Sequence, residues 1–263
     1  MYISIDMGGT YTRIASTNDL NEIYKIEKFN TKKDLTDQIN IVNYTIKKLS
    51  ESQKIKAICL GVPGTLDIEN KRFLKFHNYK VLENKEFGTF FRDELKSVPL
   101  IVVNDAHMAG YCEAVKGAAK NYSSMLYISI GTGIGGAWIR NKNTDDVFVN
   151  FEPGHLCIFS DGLDFEDHCS GRAFSRIYNV DTNENTPPQV WKSYSKDLLK
   201  GLLFLNKKFP SEVIVLGGGF SVNNFKYFEQ YLNIISNNLN IKVAEFGDNS
   251  GILGGFELLS KSI

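Results

Sequence analysis

Two stretches of this chain repeat one pattern. Tyr2-Ile3-Ser4-Ile5 recurs as Tyr127-Ile128-Ser129-Ile130, and each copy runs into a glycine-bearing turn and a second apolar run: YISIDMGGTYTRIAS near the start, YISIGTGIGGAWIR in the second half. Four matching residues count for little, because Tyr, Ile and Ser all suit strands. The shared context counts for more: strand, Gly/Thr turn, strand, once near the start of each half. A duplicated hairpin predicts two related lobes facing each other across a cleft, with a nucleotide in it. Around the hairpins, β-branched runs alternate with helix-period stretches, the pattern of an α/β protein.

Strands are expected over 2–5, 11–16, 23–29, 58–62, 100–103, 126–130, 137–140 and 213–216. Helices are expected over 34–49, where Leu35, Ile39, Val42, Ile46 and Leu49 form one stripe, and over 87–95, 106–115, 165–178, 190–209, 225–239 and 252–260. Residues 179–188, rich in Asn, Asp, Thr and Pro, read as a loop. The lobes are expected at 1–106 with the C-terminal helix 250–263, and at 107–249.

Composition narrows the function classes. Thirty Lys+Arg balance thirty Asp+Glu, so the basic excess of a nucleic-acid binder or a polybasic membrane-surface protein is missing. With 43% hydrophobic residues the chain can bury a large core, which excludes wholesale disorder. No apolar run reaches the roughly 20 residues that span a bilayer, and the N-terminus shows no export signal. Four cysteines without a Cys-x-x-Cys read as reduced thiols, so a cytoplasmic location is expected.

In Asp6-Met7-Gly8-Gly9-Thr10, glycines lacking Cβ let backbone N–H groups approach a phosphate, and the Thr hydroxyl adds a donor. Asp6 at the strand end is placed to hold Mg²⁺, directly or through water. An ordinary Asp/Gly hairpin turn is the other reading. The second turn, Gly131-Thr132-Gly133-Ile134-Gly135-Gly136, is denser in glycine than a hairpin requires. It continues as a strand, which fits neither G-x-G-x-x-G opening a helix nor a P-loop. Asn104 and Asp105 stand where a strand meets a helix. An Asp there can accept a hydroxyl proton during phosphoryl transfer, or it can simply cap the helix. Glu152-Pro153-Gly154-His155 reads as a polar knot that can address a small polyol, or as a polar loop with a satisfied His. Glu166 reads as a further polar contact or a solvated helix face. Gly217-Gly218-Gly219 closes a strand and offers flat backbone to adenine or ribose, or is a strand-end turn.

Taken in order, these motifs resemble the ROK sugar kinases (repressors, open reading frames and kinases) of the actin/hexokinase/Hsp70-like ATPase superfamily. DMGGT resembles the first phosphate motif, GVPGTLD (61–67) the sugar-domain turn, and NDAHMAGYCEA (104–114) the catalytic segment. ISIGTGIGGAW (128–138) resembles the second phosphate motif, EPGH (152–155) the E-x-G-H sugar motif, and SGRA (170–173) the segment after the zinc loop. VLGGGFS with the 247–255 stretch resembles the adenosine region. The resemblance implies two RNase H-like lobes around a nucleotide and sugar cleft. It implies ATP- and Mg²⁺-dependent phosphorylation of a hexose or N-acylhexosamine at the 6-hydroxyl. It also implies a homodimer.

On that resemblance Asp105 is the base, and Gly64, Asn78, Asn104, Glu152, His155 and Glu166 contact the sugar. Asp6, Gly8, Gly9, Thr10, Thr132 and Gly133 serve the phosphates and metal, and Gly217, Gly218 and Gly219 the adenosine. Three departures stand out. The loop of many relatives that binds structural zinc is shortened here to 156–169, with Asp164 where its last cysteine falls. No structural zinc is therefore expected, and Cys157, Cys169, His155 and His168 lack the paired spacing of an alternative site. The region after SGRA is trimmed, and Tyr11 stands where Lys or Thr is more usual. Loss of the zinc ligands tilts the substrate toward N-acetylmannosamine, with glucose the other leading choice. The family also holds DNA-binding repressors, for whose helix-turn-helix the strand beginning at Tyr2 leaves no room. A sensor that binds sugar without turnover remains the alternative.

Overall fold

The computed structural model describes residues 1–76, 79–142, 151–235 and 239–262. They form two compact units, Met1–Cys112 with Asn249–Ile263, and Glu113–Asp248.

In unit 1, β1 (Tyr2–Met7), β2 (Tyr11–Thr17) and β3 (Lys25–Asn30) form an antiparallel run, while β4 (Ala57–Val62) and β7 (Leu100–Asn104) extend the sheet in parallel on the other side of β1. The order is β3-β2-β1-β4-β7. A hairpin of β5 (Thr65–Asp67) and β6 (Arg72–Lys75), two strands with no forecast, stands apart. Ile3, Ile5, Ile14, Ile58, Leu60 and Val62 are buried with Val42, Ile46 and Leu49 of α1 (Leu35–Ser50). That is the apolar stripe expected for the helix; Asp34 caps its start by accepting from the Asp37 N–H. α3 (Asp105–Val115) leaves β7, and the unit boundary runs through it. α8 (Ser250–Ser262) packs on β1 and β4.

Unit 2 repeats the core. β8 (Ser124–Ile130) and β9 (Ile134–Arg140) form the antiparallel hairpin, and β10 (Val213–Gly217) and β11 (Ile241–Val243) add in parallel beside β8, giving the order β11-β10-β8-β9. Four strands of each unit thus share one arrangement, a hairpin whose first strand is flanked by two successive parallel strands. The repeat read in the sequence is a repeat of topology.

Two expected helices differ. The segment 87–95 divides into a 3-10 turn, Phe87–Phe90, and one helical turn, α2 (Asp93–Lys96). Phe87 and Phe90 are drawn into the core, and the Arg92 N–H is taken by Asn43 Oδ1 at 3.0 Å, so the chain between is extended. The segment 165–178 breaks into α4 (Phe165–Cys169) and α5 (Gly171–Tyr178). Ser170 between them is extended and caps α5 by accepting from the Ala173 N–H. α6 (Pro188–Lys208) and α7 (Gly218–Ile235) complete the unit, whose core joins Trp191, Tyr194, Phe174 and Phe228 to the β8 and β10 side chains.

Candidate active site

In unit 1 the expected residues gather at the C-terminal ends of β1, β4 and β7. Asp6 lies opposite Gly61 of β4. A Cβ on Gly61 would meet Met108 Cε at 2.4 Å and stand 3.5 Å from the Asp105 Cα, so the bare glycine lets α3 approach the sheet and brings Asp105 into the neighbourhood of Asp6. Arg13 Nη1 lies 3.7 Å from Asp6 Oδ2, and a Cβ on Gly251, at the start of α8, would fall 2.6 Å from the Asp6 Cγ. A carboxylate beside an exposed glycine turn is a hard oxygen donor, the type that binds Mg²⁺ singly while phosphate oxygens and water complete the shell. Among the described residues no group of three or more His, Cys, Asp or Glu is arranged to hold a metal.

The two readings of Asp105 part here. Asn104 caps α3: its Oδ1 accepts from the N–H of Ala106 at 2.9 Å and of His107 at 3.2 Å. Asp105 follows in the first helical turn, with Oδ1 at 2.8 Å from the Ala106 N–H. Asn104 Nδ2 also donates to the Gly64 carbonyl at 3.1 Å. Gly64 has φ +108°, and a Cβ there would lie 2.1 Å from the Lys75 carbonyl oxygen, so this turn requires glycine. Asn104 therefore braces the turn and the helix together. Asn78 lies outside the described residues. Burial lowers the His107 pKa from 6.5 to about 4, so this side chain beside Asp105 is neutral at physiological pH.

The first turn has a support that the motif reading missed. Thr31 Oγ1 donates to the Gly8 carbonyl at 2.8 Å, Thr12 and Thr31 hydroxyls lie 2.9 Å apart, and Gln38 Nε2 donates to Thr12 Oγ1 at 2.8 Å. Gln38 and Thr12 are fully buried. A partial signal was present: Gln38 is a polar residue beside the Leu35–Val42–Ile46–Leu49 stripe of α1, where Thr45 is buried as well.

In unit 2 the second turn is held by charge. The Ile134 N–H donates to Glu166 Oε2 at 2.7 Å, and a Cβ on Gly133 would meet that oxygen at 2.4 Å. Glu166 Oε1 accepts from Arg172 at 2.8 Å, and the Gly171 N–H at the start of α5 donates to the Gly131 carbonyl at 2.8 Å. Thr132 is exposed at the tip. Glu152 precedes a 3-10 turn, Pro153–His155, that lies against β9: a Cβ on Gly136 would touch Pro153 Cγ at 2.7 Å, and one on Gly154 the Ile134 carbonyl at 2.3 Å. The E-x-G-H knot, the second turn and Glu166 are thus one assembly.

His155 Nδ1 pairs with Asp164 Oδ2 at 3.1 Å. Burial alone would lower the imidazole pKa, but the Asp164 hydrogen bond and the charges of Glu166, Asp164 and Glu152 outweigh it and raise the value above 6.5. Asp164 also caps α4 through the Asp167 N–H. His168 pairs with Asp161 and stacks on Phe159, Cys157 is exposed, and Cys169 is buried with its thiol pKa pushed up by desolvation.

At the end of β10, Gly217–Gly219 form a strand-to-helix junction rather than a strand-end turn. Gly217 ends the strand, and Gly218, at φ +81° with a would-be Cβ 2.5 Å from the Ile130 carbonyl, opens α7. Packing decides this: Phe220 lies 5.4 Å from the Tyr194 ring and 5.3 Å from Phe174, which outweighs the poor helix propensity of glycine. The sequence also gave no sign that Glu113 is fully buried, its oxygens accepting from the N–H groups of Ala118, Glu245 and Phe246 at 3.0 Å each.

Residues 2–262 match the ROK family. The chain is 25% identical to a glucokinase of Halalkalibacterium halodurans, over 97% of this chain and 93% of that protein. It is 28% identical to the xylose repressor of Bacillus spizizenii over 90% of its own length, yet spans only 60% of the repressor. A solved ROK family glucokinase from Streptomyces griseus, in complex with glucose and AMPPNP, superposes with a TM-score of 0.83 at 19% identity, covering 98% of both chains. The fold is the α/β, actin/hexokinase-like fold of the ROK sugar kinases. From the first strand to the last helix, this chain belongs to the ROK family.

Proposed function

We propose that this protein is an ATP-dependent sugar kinase that transfers the γ-phosphoryl group to the 6-hydroxyl of a hexose or N-acylhexosamine, with glucose and N-acetylmannosamine the leading substrates. The observation that carries the reading is at the head of α3: Asn104 caps the helix by accepting from the Ala106 and His107 N–H groups, so the helix start does not depend on the Asp105 carboxylate, whose Oδ1 shares the Ala106 N–H. Its role is to accept the hydroxyl proton while the sugar oxygen bonds to the γ-phosphorus and the bond to the β,γ-bridging oxygen breaks, the electron pair leaving with ADP. Gly64, Asn78, Asn104, Glu152, His155 and Glu166 are the residues this reading gives to the sugar. Gly8, Gly9, Thr10, Thr132 and Gly133 receive the phosphates, and Gly217–Gly219 the adenosine. Asp6 holds Mg²⁺, which neutralises phosphate charge when bound. Most of the rate enhancement then comes from positioning and electrostatics. The similarity to an H. halodurans glucokinase across nearly the whole chain supports this reading.

A sugar-binding regulator without turnover is the second reading, favoured by the similarity to the xylose repressor. A panel of glucose, N-acetylmannosamine, N-acetylglucosamine and fructose, with coupled detection of ADP, separates the two. The kinase reading expects ADP release with at least one sugar; binding of sugar without ADP release from any would establish the regulator. No helix among the described residues is long and apolar enough to cross a membrane, and a cytoplasmic homodimer is part of the proposal.

A further inference from the structure

We propose that Gln38, Thr12 and Thr31 form a positioning relay that sets the direction of the Gly9 N–H, and through it the affinity of the first turn for a nucleotide phosphate. The inference rests on the kinase reading of that turn.

Every hydrogen in the relay is assigned by its partners. The Lys32 N–H donates to Gln38 Oε1 at 2.8 Å, which fixes the amide so that Nε2 must be the atom facing Thr12. The Thr31 hydroxyl hydrogen is committed to the Gly8 carbonyl, so in the 2.9 Å contact between the two hydroxyls Thr12 is the donor. Donation therefore runs from Gln38 to Thr12, from Thr12 to Thr31 and from Thr31 to the accepting Gly8 carbonyl, with no alternative orientation that keeps all four contacts.

A peptide unit is planar and trans, so its C=O and N–H point in opposite directions. Holding the Gly8 carbonyl toward Thr31 directs the Gly9 N–H the other way, out of the turn. The neighbouring groups are already committed: the Gly8 N–H donates to the Tyr11 carbonyl at 3.0 Å, and the Thr31 N–H to the Thr10 carbonyl at 3.0 Å. Gly9 and Thr10 are exposed, and among the described residues the Gly9 N–H has no protein acceptor. Two adjacent glycines permit close approach of a phosphate but leave the peptide between them free to rotate at low cost. Direction has to come from outside the turn, and the relay supplies it.

The test compares Thr31→Val, which keeps the shape and removes the hydroxyl, with Thr31→Ser, which keeps the hydroxyl. AMPPNP affinity is measured by calorimetry, the KM for ATP and for sugar by coupled ADP detection, and the apparent Tm by thermal melting. Thr31→Val is expected to weaken AMPPNP binding and raise the ATP KM about tenfold, the worth of one well-made hydrogen bond, with the sugar KM within about twofold. Thr31→Ser should recover most of the loss, and Gln38→Leu should reproduce part of it. A lowered Tm with unchanged AMPPNP affinity would show that the residues merely stabilise the fold and would overturn the relay. So would a parallel rise in both KM values. If the wild type phosphorylates sugar and Thr31→Val matches it, the relay fails while the kinase reading stands. A wild type that binds no AMPPNP sinks both.

Discussion

The turn after β1 and the turn after β8 share a strand-turn-strand pattern, yet they are held by opposite chemistry. Behind the first stand neutral groups, the Thr31 and Thr12 hydroxyls and the Gln38 amide, all hydrogen-bonded and two of the three side chains fully buried. Behind the second stands a carboxylate, Glu166, which accepts from the Ile134 N–H and is matched by Arg172. Neutral groups in a closed hydrogen-bond chain are buried at little cost, whereas a carboxylate needs a compensating cation and strong donors. The carboxylate also sets a negative charge beside a loop assigned to phosphate, which the Arg172 pairing partly offsets. The strand pattern was duplicated; the brace behind each turn is local to its unit.

The largest expected effect sets the scale for both turns. Asp105→Ala should lower kcat by about 10²- to 10⁴-fold, the usual contribution of a general base, with AMPPNP affinity unchanged because neither turn is touched. Steady-state kinetics with calorimetry on the same variant check this. Normal turnover would remove Asp105 from the chemistry, and lost nucleotide affinity would make it part of the first turn's support instead.

Next in size is the charged brace. Glu166→Ala leaves the Ile134 N–H and Arg172 without their partner and should cost on the order of 10²-fold in kcat/KM. Glu166→Gln can still accept from Ile134, and should lose only about tenfold. If the two variants were equal, the charge rather than the backbone contact would be what matters.

Smaller still, and aimed directly at the contrast, are alanine substitutions in the turns themselves. At Gly133 the new Cβ meets Glu166 Oε2 at 2.4 Å, at Gly8 the nearest atom is the Tyr11 carbonyl at 3.3 Å, and at Gly131 nothing lies within 4 Å. Kinetics should rank them in that order, with about a tenfold rise in the ATP KM for Gly133→Ala and about twofold or less for Gly131→Ala. Equal effects at all three would mean that turn flexibility, not the brace, governs affinity.

The same contrast explains what could be read in advance. Strands, the α1 stripe and the two turns are local, periodic signals, so they were legible; so was the polar knot at 152–155, because Pro-Gly punctuates it. The braces depend on tertiary contacts at long separation, Gln38 with Thr12, Glu166 with Ile134, Glu113 with Glu245 and Phe246. The helix period marks Gln38 itself, but no spacing rule reports the partners. The head of α7 was misjudged for a related reason: three glycines argue against a helix locally, but Phe220 anchors one from below. Ser170 is a strong capping residue in the middle of an apolar period, and the period hid it.

The smallest expected effect separates the two regions by pH. The relay of Gln38, Thr12 and Thr31 holds no group that titrates between pH 5 and 9. The assembly around the second turn holds His155, whose folded-state pKa is raised above its unfolded 6.5 by Asp164, Glu166 and Glu152 against the opposing pull of burial. A raised folded pKa means the charged form is preferred in the native state, so its contribution to stability is full below pH 6.5 and fades as pH rises through the folded value. His155 is half-exposed, and solvent screening keeps that contribution to a fraction of 1 kcal/mol. Wild type should therefore melt about 1 to 2 °C above His155→Gln at pH 6, with the gap closing by pH 9, when followed by thermal melting in matched low-salt buffers. High salt should shrink the pH 6 gap, because it screens the same charges. The gap between wild type and Thr31→Val, by contrast, should stay constant over that range, because only neutral hydrogen bonds are lost. A Thr31→Val gap that moved with pH would show that the first turn too rests on charge, and the distinction between the two braces would be lost.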